Sequence, residues 1–386
     1  MSILLKDICT KITDGSHNPP SGIGFSDYLM ISSKNIHDGE IDYNNPRFLT
    51  QSDYEKENKR TNIQKGDLLM SIVGTIGRVA VVDNKTKNIC LQRSVAVIKP
   101  NDKLVNSRFL MYELQGKRHM LEKLAHGVAQ KGIYLRQVES LPVDLPSMEI
   151  QLKIVTKLDN IARIIMLRNW QLNKLDELVK SRFVELFGDP ITNEYGFGYT
   201  TIGQIATDVK YGTSAPATDT GKYAYLRMNN LTDNGQLDLA DLKYIDVSPE
   251  DFRKYSAKSG DILFNRTNSA DLVGKTALYN LAEPMIIAGY LIRVRVSEIV
   301  TPSYLVTFMN LPFMKKKLHH MAKGAVNQAN INSQELKSIK ILIPPIELQN
   351  KFDQWLQQLD KSKLAVQKSL EELETLKKSL MQQYFG

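Results

Sequence analysis

Only two cysteines, Cys9 and Cys90, occur in 386 residues, and neither has a counterpart in the second half of the chain. Neither a disulfide framework nor a cysteine-rich zinc site is supported, and two buried free thiols are expected. Long apolar runs are also missing. No stretch approaches the ~18 consecutive apolar residues of a membrane helix, and Met1-Ser-Ile-Leu-Leu-Lys-Asp7 is too short and too acidic for a signal peptide. No membrane partner and cytoplasmic residence are the expectation. The six histidines (17, 37, 119, 126, 319 and 320) show no spacing that would make a metal site.

Catalytic patterns are equally sparse. Asn18-Pro-Pro-Ser21 resembles the motif with which adenine methyltransferases grip an extruded base, but Ser21 stands where the stacking aromatic belongs. No glycine-rich cofactor loop accompanies it, so Pro19-Pro20 reads as a rigid turn. Gly274-Lys275-Thr276 ends like a phosphate loop, yet Ser269 occupies the place of the required earlier glycine. Asp53 with Glu57-Asn-Lys59 imitates a nuclease triple, a chance pattern in a chain that is 24% charged. Nothing here reads as an active site, and no cofactor is expected on this chain.

What the chain does contain is an internal repeat. Ser181-Arg-Phe-Val-Glu-Leu-Phe-Gly188 returns as Ser379-Leu-Met-Gln-Gln-Tyr-Phe-Gly386, and Leu145-Pro-Ser-Met-Glu-Ile-Gln151 returns at the same spacing as Ile343-Pro-Pro-Ile-Glu-Leu-Gln349. Upstream the spacing drifts. Tyr28-Leu29 aligns with Tyr225-Leu226 and Gly66-Asp67 with Gly260-Asp261 at shorter intervals, as small loop insertions and deletions would produce. So long a period excludes a solenoid and indicates two tandem domains.

Each half reads as α+β. In the first, strands are expected at 66–73, 78–82 and 94–98 and a helix over 106–125; in the second, strands at 260–264, 275–279 and 291–296 and a helix over 303–322. Each half then enters a long helix. Leu158, Ile161, Ile165, Leu172, Leu175, Val179 and Leu186 follow three/four spacing, as do Leu359, Val366, Leu370, Leu373, Leu380 and Tyr384. These predict two matched coiled-coil helices, packed antiparallel and holding the globular parts apart.

A formal charge of +8 and a pI near 9.1 favour a polyanionic partner. Donor-rich loops recur at corresponding places. In the first half they contribute Ser16, His17, Asn18, Ser33, Lys34, Asn35, Thr75, Arg78, Gln92, Arg93, Gln130 and Lys131. In the second they contribute Tyr211, Thr213, Arg227, Asn229, Asn230, Arg266, Asn268, Lys275, Asn327, Gln328 and Asn330. Arginine suits guanine O6/N7, asparagine and glutamine suit adenine N6/N7, and lysine and serine suit phosphates. Any one of these loops is ordinary turn chemistry; recurrence in a basic, duplicated chain favours double-stranded DNA.

The Ile/Leu-Pro-x-x-Glu-x-Gln openings, the Phe187-Gly188-Asp189-Pro190 exit and the Gly324-Ala-Val-Asn-Gln-Ala-Asn-Ile331 stretch resemble the DNA-specificity subunits of Type I restriction–modification systems, over the whole length. The first copy departs from the last motif, since His126-Gly-Val-Ala-Gln-Lys-Gly-Ile133 lacks both asparagines. The resemblance implies two target-recognition domains, 1–146 and 191–344, each followed by a spacer helix, 147–190 and 345–386, with pseudo-twofold symmetry. It implies a non-catalytic subunit that reads a bipartite target and docks two modification and two restriction subunits. S-adenosylmethionine, ATP and Mg would belong to those partners. The alternatives are the recognition part of a split or fused methyltransferase or nuclease, and an oligomerisation scaffold with inert heads.

Overall fold

The computed structural model describes residues 2–84, 88–127, 131–269, 272–322 and 329–386. It divides into two compact units, Met1–Leu167 with Ser369–Gly386, and Arg168–Lys368. In unit 1 a four-stranded antiparallel sheet runs in the order Cys9–Asp14, Val95–Pro100, Leu68–Ser71, Val79–Val81. A smaller sheet orders Arg47–Phe48, Leu29–Ile31, Ile89–Leu91, with the last two strands parallel. Unit 2 repeats both: Ala206–Tyr211, Leu291–Val296, Ile262–Asn265, Thr276–Leu278, and Lys243–Ile245, Tyr223–Leu226, Met285–Ile287, Ser256–Ala257. The central strands are buried on both faces, because helices cover one side and the smaller sheet the other; Leu68, Leu69, Met70, Val95, Ala96, Val97 and Ile98 are all fully buried.

The strand register corrects the sequence alignment at one place. Leu226 pairs with Ile287 as Ile31 pairs with Leu91, so Tyr28 corresponds to Tyr223 rather than to Tyr225. The ring contacts agree: Tyr28 lies 5.0 Å from Tyr54, and Tyr223 stacks on Phe252 at 4.2 Å. A two-residue slip in Tyr-Ala-Tyr-Leu keeps the same strand face, which is why the sequence did not resolve it.

The single helix expected in each half is two. Ser107–Gly116 and Arg118–Leu124 break at Lys117, and Pro302–Met309 and Pro312–Met321 break where Pro312 cannot continue the preceding turn. At Gly116 the cause is packing, since an added Cβ would stand 2.7 Å from that of Phe385.

The recurring Pro-x-x-Glu-x-Gln motif acts as a latch. Gln151 is fully buried; it accepts from Asn106 N at 2.8 Å and donates to Leu104 O and Pro146 O at 3.1 and 2.9 Å. Gln349, equally buried, accepts from Thr301 N at 2.8 Å and donates to Ile299 O and Pro344 O at 3.2 and 2.8 Å. Asn106 and Thr301 each cap the following helix, so one amide fixes the start of a long helix to the start of a core helix. The latched helices are Met148–Phe187 and Ile346–Phe385, about 60 Å each at 1.5 Å per residue.

The Phe-Gly ends are anchors. Phe187 packs with Phe183, Tyr304 and Phe352 in the core of unit 2, and Phe385 with Phe109 in the core of unit 1. Gly188 takes φ +70, a left-handed helix stop at which its N–H reaches Val184 O at 2.8 Å. Within unit 2 the two long helices run antiparallel, Phe183 against Phe352 and Asp176 paired with Lys363 at 2.5 Å. The positions predicted at three/four spacing are all buried or half-buried, and Phe183 and Phe352 are buried beside them. No helix among the described residues is long and apolar enough to cross a membrane. Cys90 is buried as expected, while Cys9 is only half-buried; both are free, and burial pushes both thiols up to about 12.

Candidate nucleic-acid interface

The donor loops lie where strands of the two sheets of each unit end side by side, and two glycines make that meeting possible. A Cβ on Gly15 would stand 2.1 Å from Leu91 O, and one on Gly212 would stand 2.1 Å from Ile287 O. No side chain fits there, so the backbone passes at close range and the next residue bridges the sheets. Ser16 N donates to Leu91 O and Thr213 N to Ile287 O, at 2.7 and 2.9 Å.

In unit 1 these connections gather five candidates. Arg93 N donates to Ser16 O, Ser33 N to Ser94 Oγ, and Gly74 N to Lys131 O, which brings Thr75 alongside. Thr75, Arg93 and Lys131 are exposed, Ser16 and Ser33 half-buried, and Lys34 is exposed beside Ser33. His17 and Asn18 are exposed, with His17 Nε2 2.9 Å from Asp14, which also holds Arg60. Asn18-Pro19-Pro20 leads into a turn whose Pro20 O accepts from Arg47, and Asp53 serves as a helix cap with Thr50.

In unit 2 the guanidinium of Arg266 lies over the ring of Tyr211 at 4.8 Å, and Tyr211 Oη accepts from Ser333 N at 2.8 Å. Strand Thr267–Asn268 pairs with Ala329–Asn330, and Thr267 donates to Asn330 Oδ1 at 3.2 Å, so Tyr211, Arg266, Asn268 and Asn330 form one group. Arg227 pairs with Asp241 at 2.7 Å and Asn229 is exposed. Arg78 and Lys275 are structural counterparts, each following a left-handed glycine, Gly77 or Gly274, into an edge strand. Lys275 pairs with Asp233 at 3.2 Å, and beneath it Lys315 donates to Gly274 O at 3.2 Å. Burial, with repulsion from Lys275 and Lys180 against attraction to Asp233, pushes the Lys315 ammonium down to about 8.

Asn35, Asn230 and Thr213 lie inside. The Asn35 amide accepts from Ser32 N and donates to Asp42 O and Asn44 O; Asn230 repeats this with Arg227 N, Asp238 O and Asp241 O. Both asparagines are about 98% buried and hold their loops in shape. Gln130, Asn327 and Gln328 lie outside the described residues. Two residues outside the donor loops, Arg47 and Met30, also belong to this site. Gln92, Arg47 and Met30 line, with Ser32 and Lys34, a cavity of about 270 Å³ in unit 1. Gln92 was legible as part of a polar loop; Arg47 carried no signal, since only strand pairing brings it opposite Met30.

Chemically, these surfaces offer hydrogen-bond donors and fixed cations. Among the described residues no group of three or more histidine, cysteine, aspartate or glutamate side chains is placed to hold a metal ion.

The family model described as "Type I restriction modification DNA specificity domain" matches residues 26–177 and again 199–375. The chain is 30% identical over 208 residues to the MjaX specificity subunit of Methanocaldococcus jannaschii, a match covering 50% of this chain and 49% of that protein. It is 21% identical over 357 residues to the type I restriction enzyme EcoKI specificity subunit of Escherichia coli, covering 86% and 75%. The fold is similar to that of a Type I restriction–modification S subunit from M. genitalium, with TM-score 0.59 at 14% identity over 99% of this chain and 94% of that one.

Proposed function

The chain belongs to the Type I restriction modification DNA specificity family, and from that premise we propose that it is the subunit that chooses the DNA sequence on which a restriction–modification complex acts. The observation that carries the reading is the pairing of sameness with difference. Gln151 and Gln349 latch the long helices identically, while the loops at equivalent places carry Ser16, Lys34 and Arg93 in one unit and Thr213, Asn229 and Gly289 in the other. A repeated frame with unlike reading heads suits a target of two different half-sites.

Lysine and arginine on both units supply salt-dependent attraction to phosphates, and loop side chains select bases. The reading heads correspond to 1–146 and 191–344, and the helices at 147–190 and 345–386 set the unspecified gap between half-sites. Methylation and cleavage reside on other chains, two modification and two restriction subunits, which carry S-adenosylmethionine, ATP and Mg. Two like latches offer two like docking places for a partner present twice. Exposed Trp170, Leu178 and Leu364 on the helices of unit 2 support such docking.

Lengthening the helices tests the spacer role. With the partner modification subunits present, the methylated motif should gain gap bases and keep both half-sites; an unchanged gap would refute the spacer.

A further inference from the structure

The two units differ at the cavity of about 270 Å³ lined by Met30, Ser32, Lys34, Arg47 and Gln92. Strand register assigns each lining position a counterpart in unit 2: Tyr225 for Met30, Arg227 for Ser32, Asn229 for Lys34, Lys243 for Arg47 and Ala288 for Gln92. In unit 2 a larger aromatic ring stands at the place of Met30, and the cations at the equivalent places are paired. The Tyr225 ring is buried and its hydroxyl donates to Thr213 O or Ala215 O, both at 3.0 Å. Arg227 pairs with Asp241 and Lys243 with Asp219. In unit 1 the shorter Met30 leaves the space open, and neither Lys34 nor Arg47 makes an ion pair among the described residues. Arg47 Nη1 donates to Pro20 O at 2.9 Å, which holds the guanidinium at the rim.

Gln92 is oriented by a relay. Ser33 N donates to Ser94 Oγ at 3.1 Å, and Ser94 Oγ donates to Gln92 Oε1 at 3.1 Å. The amide oxygen is thereby engaged within the protein, and the Nε2 donor is the group left to face the cavity. The lining is consequently rich in donors: an ammonium, a guanidinium and an amide NH2 over an apolar methionine floor. A base edge with two adjacent acceptors and no donor matches that set, and in the major groove the O6/N7 edge of guanine is that edge, whereas adenine presents a donor beside its acceptor.

We propose that this cavity reads a guanine in the half-site recognised by unit 1, with Gln92, Lys34 and Arg47 as its specificity-determining residues. The inference rests on the DNA-recognition reading above and adds the base and the residues. Unit 2, with Tyr225 at the place of Met30 and with Arg227 and Lys243 paired, reads its half-site with other groups.

The test uses the complete complex with its modification subunits and compares methylated motifs. Gln92→Ala and Lys34→Ala are expected to relax one guanine position in one half-site by roughly 5- to 150-fold, the discrimination of one good base contact. Gln92→Glu keeps the shape but presents an acceptor, and should move the preference at that position toward cytosine. The untouched second half-site serves as the reference for folding. An unchanged motif with a weaker salt dependence would make the cavity a phosphate clamp and overturn the proposal. Changes in both half-sites, or at a position that is not guanine, would overturn it as well. Failure of the unaltered complex to methylate any bipartite site would instead reject the DNA-recognition reading itself.

Discussion

Replacing Gln349 with alanine probes the joint on which both copies of the repeat depend. The side chain is fully buried, and its removal leaves three backbone groups without partners: Thr301 N–H, Ile299 C=O and Pro344 C=O. Each buried group left unsatisfied costs about 1–3 kcal/mol. Water entering the vacated space recovers part of this, so a loss of about 3–5 kcal/mol is expected for unit 2. That is a large share of the ~5–15 kcal/mol by which a domain is stable. Urea unfolding followed by far-ultraviolet circular dichroism measures it. Gln151→Ala should cost unit 1 the same, since its three partners are the same backbone groups one repeat earlier. Gln349→Glu separates hydrogen bonding from packing. It keeps the acceptor for Thr301 N–H but sets a second oxygen against two carbonyls, so the acid is held protonated in the folded state. Its folded pKa lies above the unfolded value, and its stability therefore falls as pH rises through the glutamate range and beyond. A cost below about 1 kcal/mol for alanine, or a glutamate variant as stable as the parent at neutral pH, would refute the latch.

Lys315→Met should stabilise unit 2 at neutral pH. The ammonium is depressed from its ordinary 10.5 to about 8, so the unfolded chain binds more protons between those values and parent stability rises across that window. The depression is worth about 3 kcal/mol at most and the bond to Gly274 O about 1, leaving a net gain of about 1–2 kcal/mol. The methionine variant should lack the alkaline rise, and paired urea titrations at neutral and alkaline pH check both statements. Gly212→Ala drives a Cβ to 2.1 Å from Ile287 O and should cost several kcal/mol, of order 3, visible as loss of soluble, cooperatively unfolding protein. Arg266→Ala removes the cation stacked on Tyr211 and should relax one position in the half-site read by unit 2 while unit 1's half-site persists, as methylome sequencing would report.

The frame was largely legible in the sequence because its signals are periodic or repeated. Three/four spacing marked the buried faces of both long helices, and duplication marked Gln151 and Gln349 as equivalent. What the glutamines do was not legible, since Asn106 and Thr301, which they bind, lie 45 and 48 residues away. The helix breaks at Gly116 and Pro312 divide between a long-range contact and a local one, and the proline was the readable half of that pair. At the interface, residue type misled where side chains turn inward. Asn35 and Asn230 carry base-reading chemistry and spend it on their own loops, while Arg47 reaches the surface of the cavity only through pairing with Met30.

We propose that sequence choice resides in this chain and is made by two unlike units on one frame. Methylome sequencing of cells carrying the partner modification subunits, with and without this chain, measures it most directly. A single asymmetric, gapped adenine-methylation motif that appears only when the chain is present is the expected result. Methylation of the same motif by the partners alone, or no gain of methylation with the chain, would contradict it.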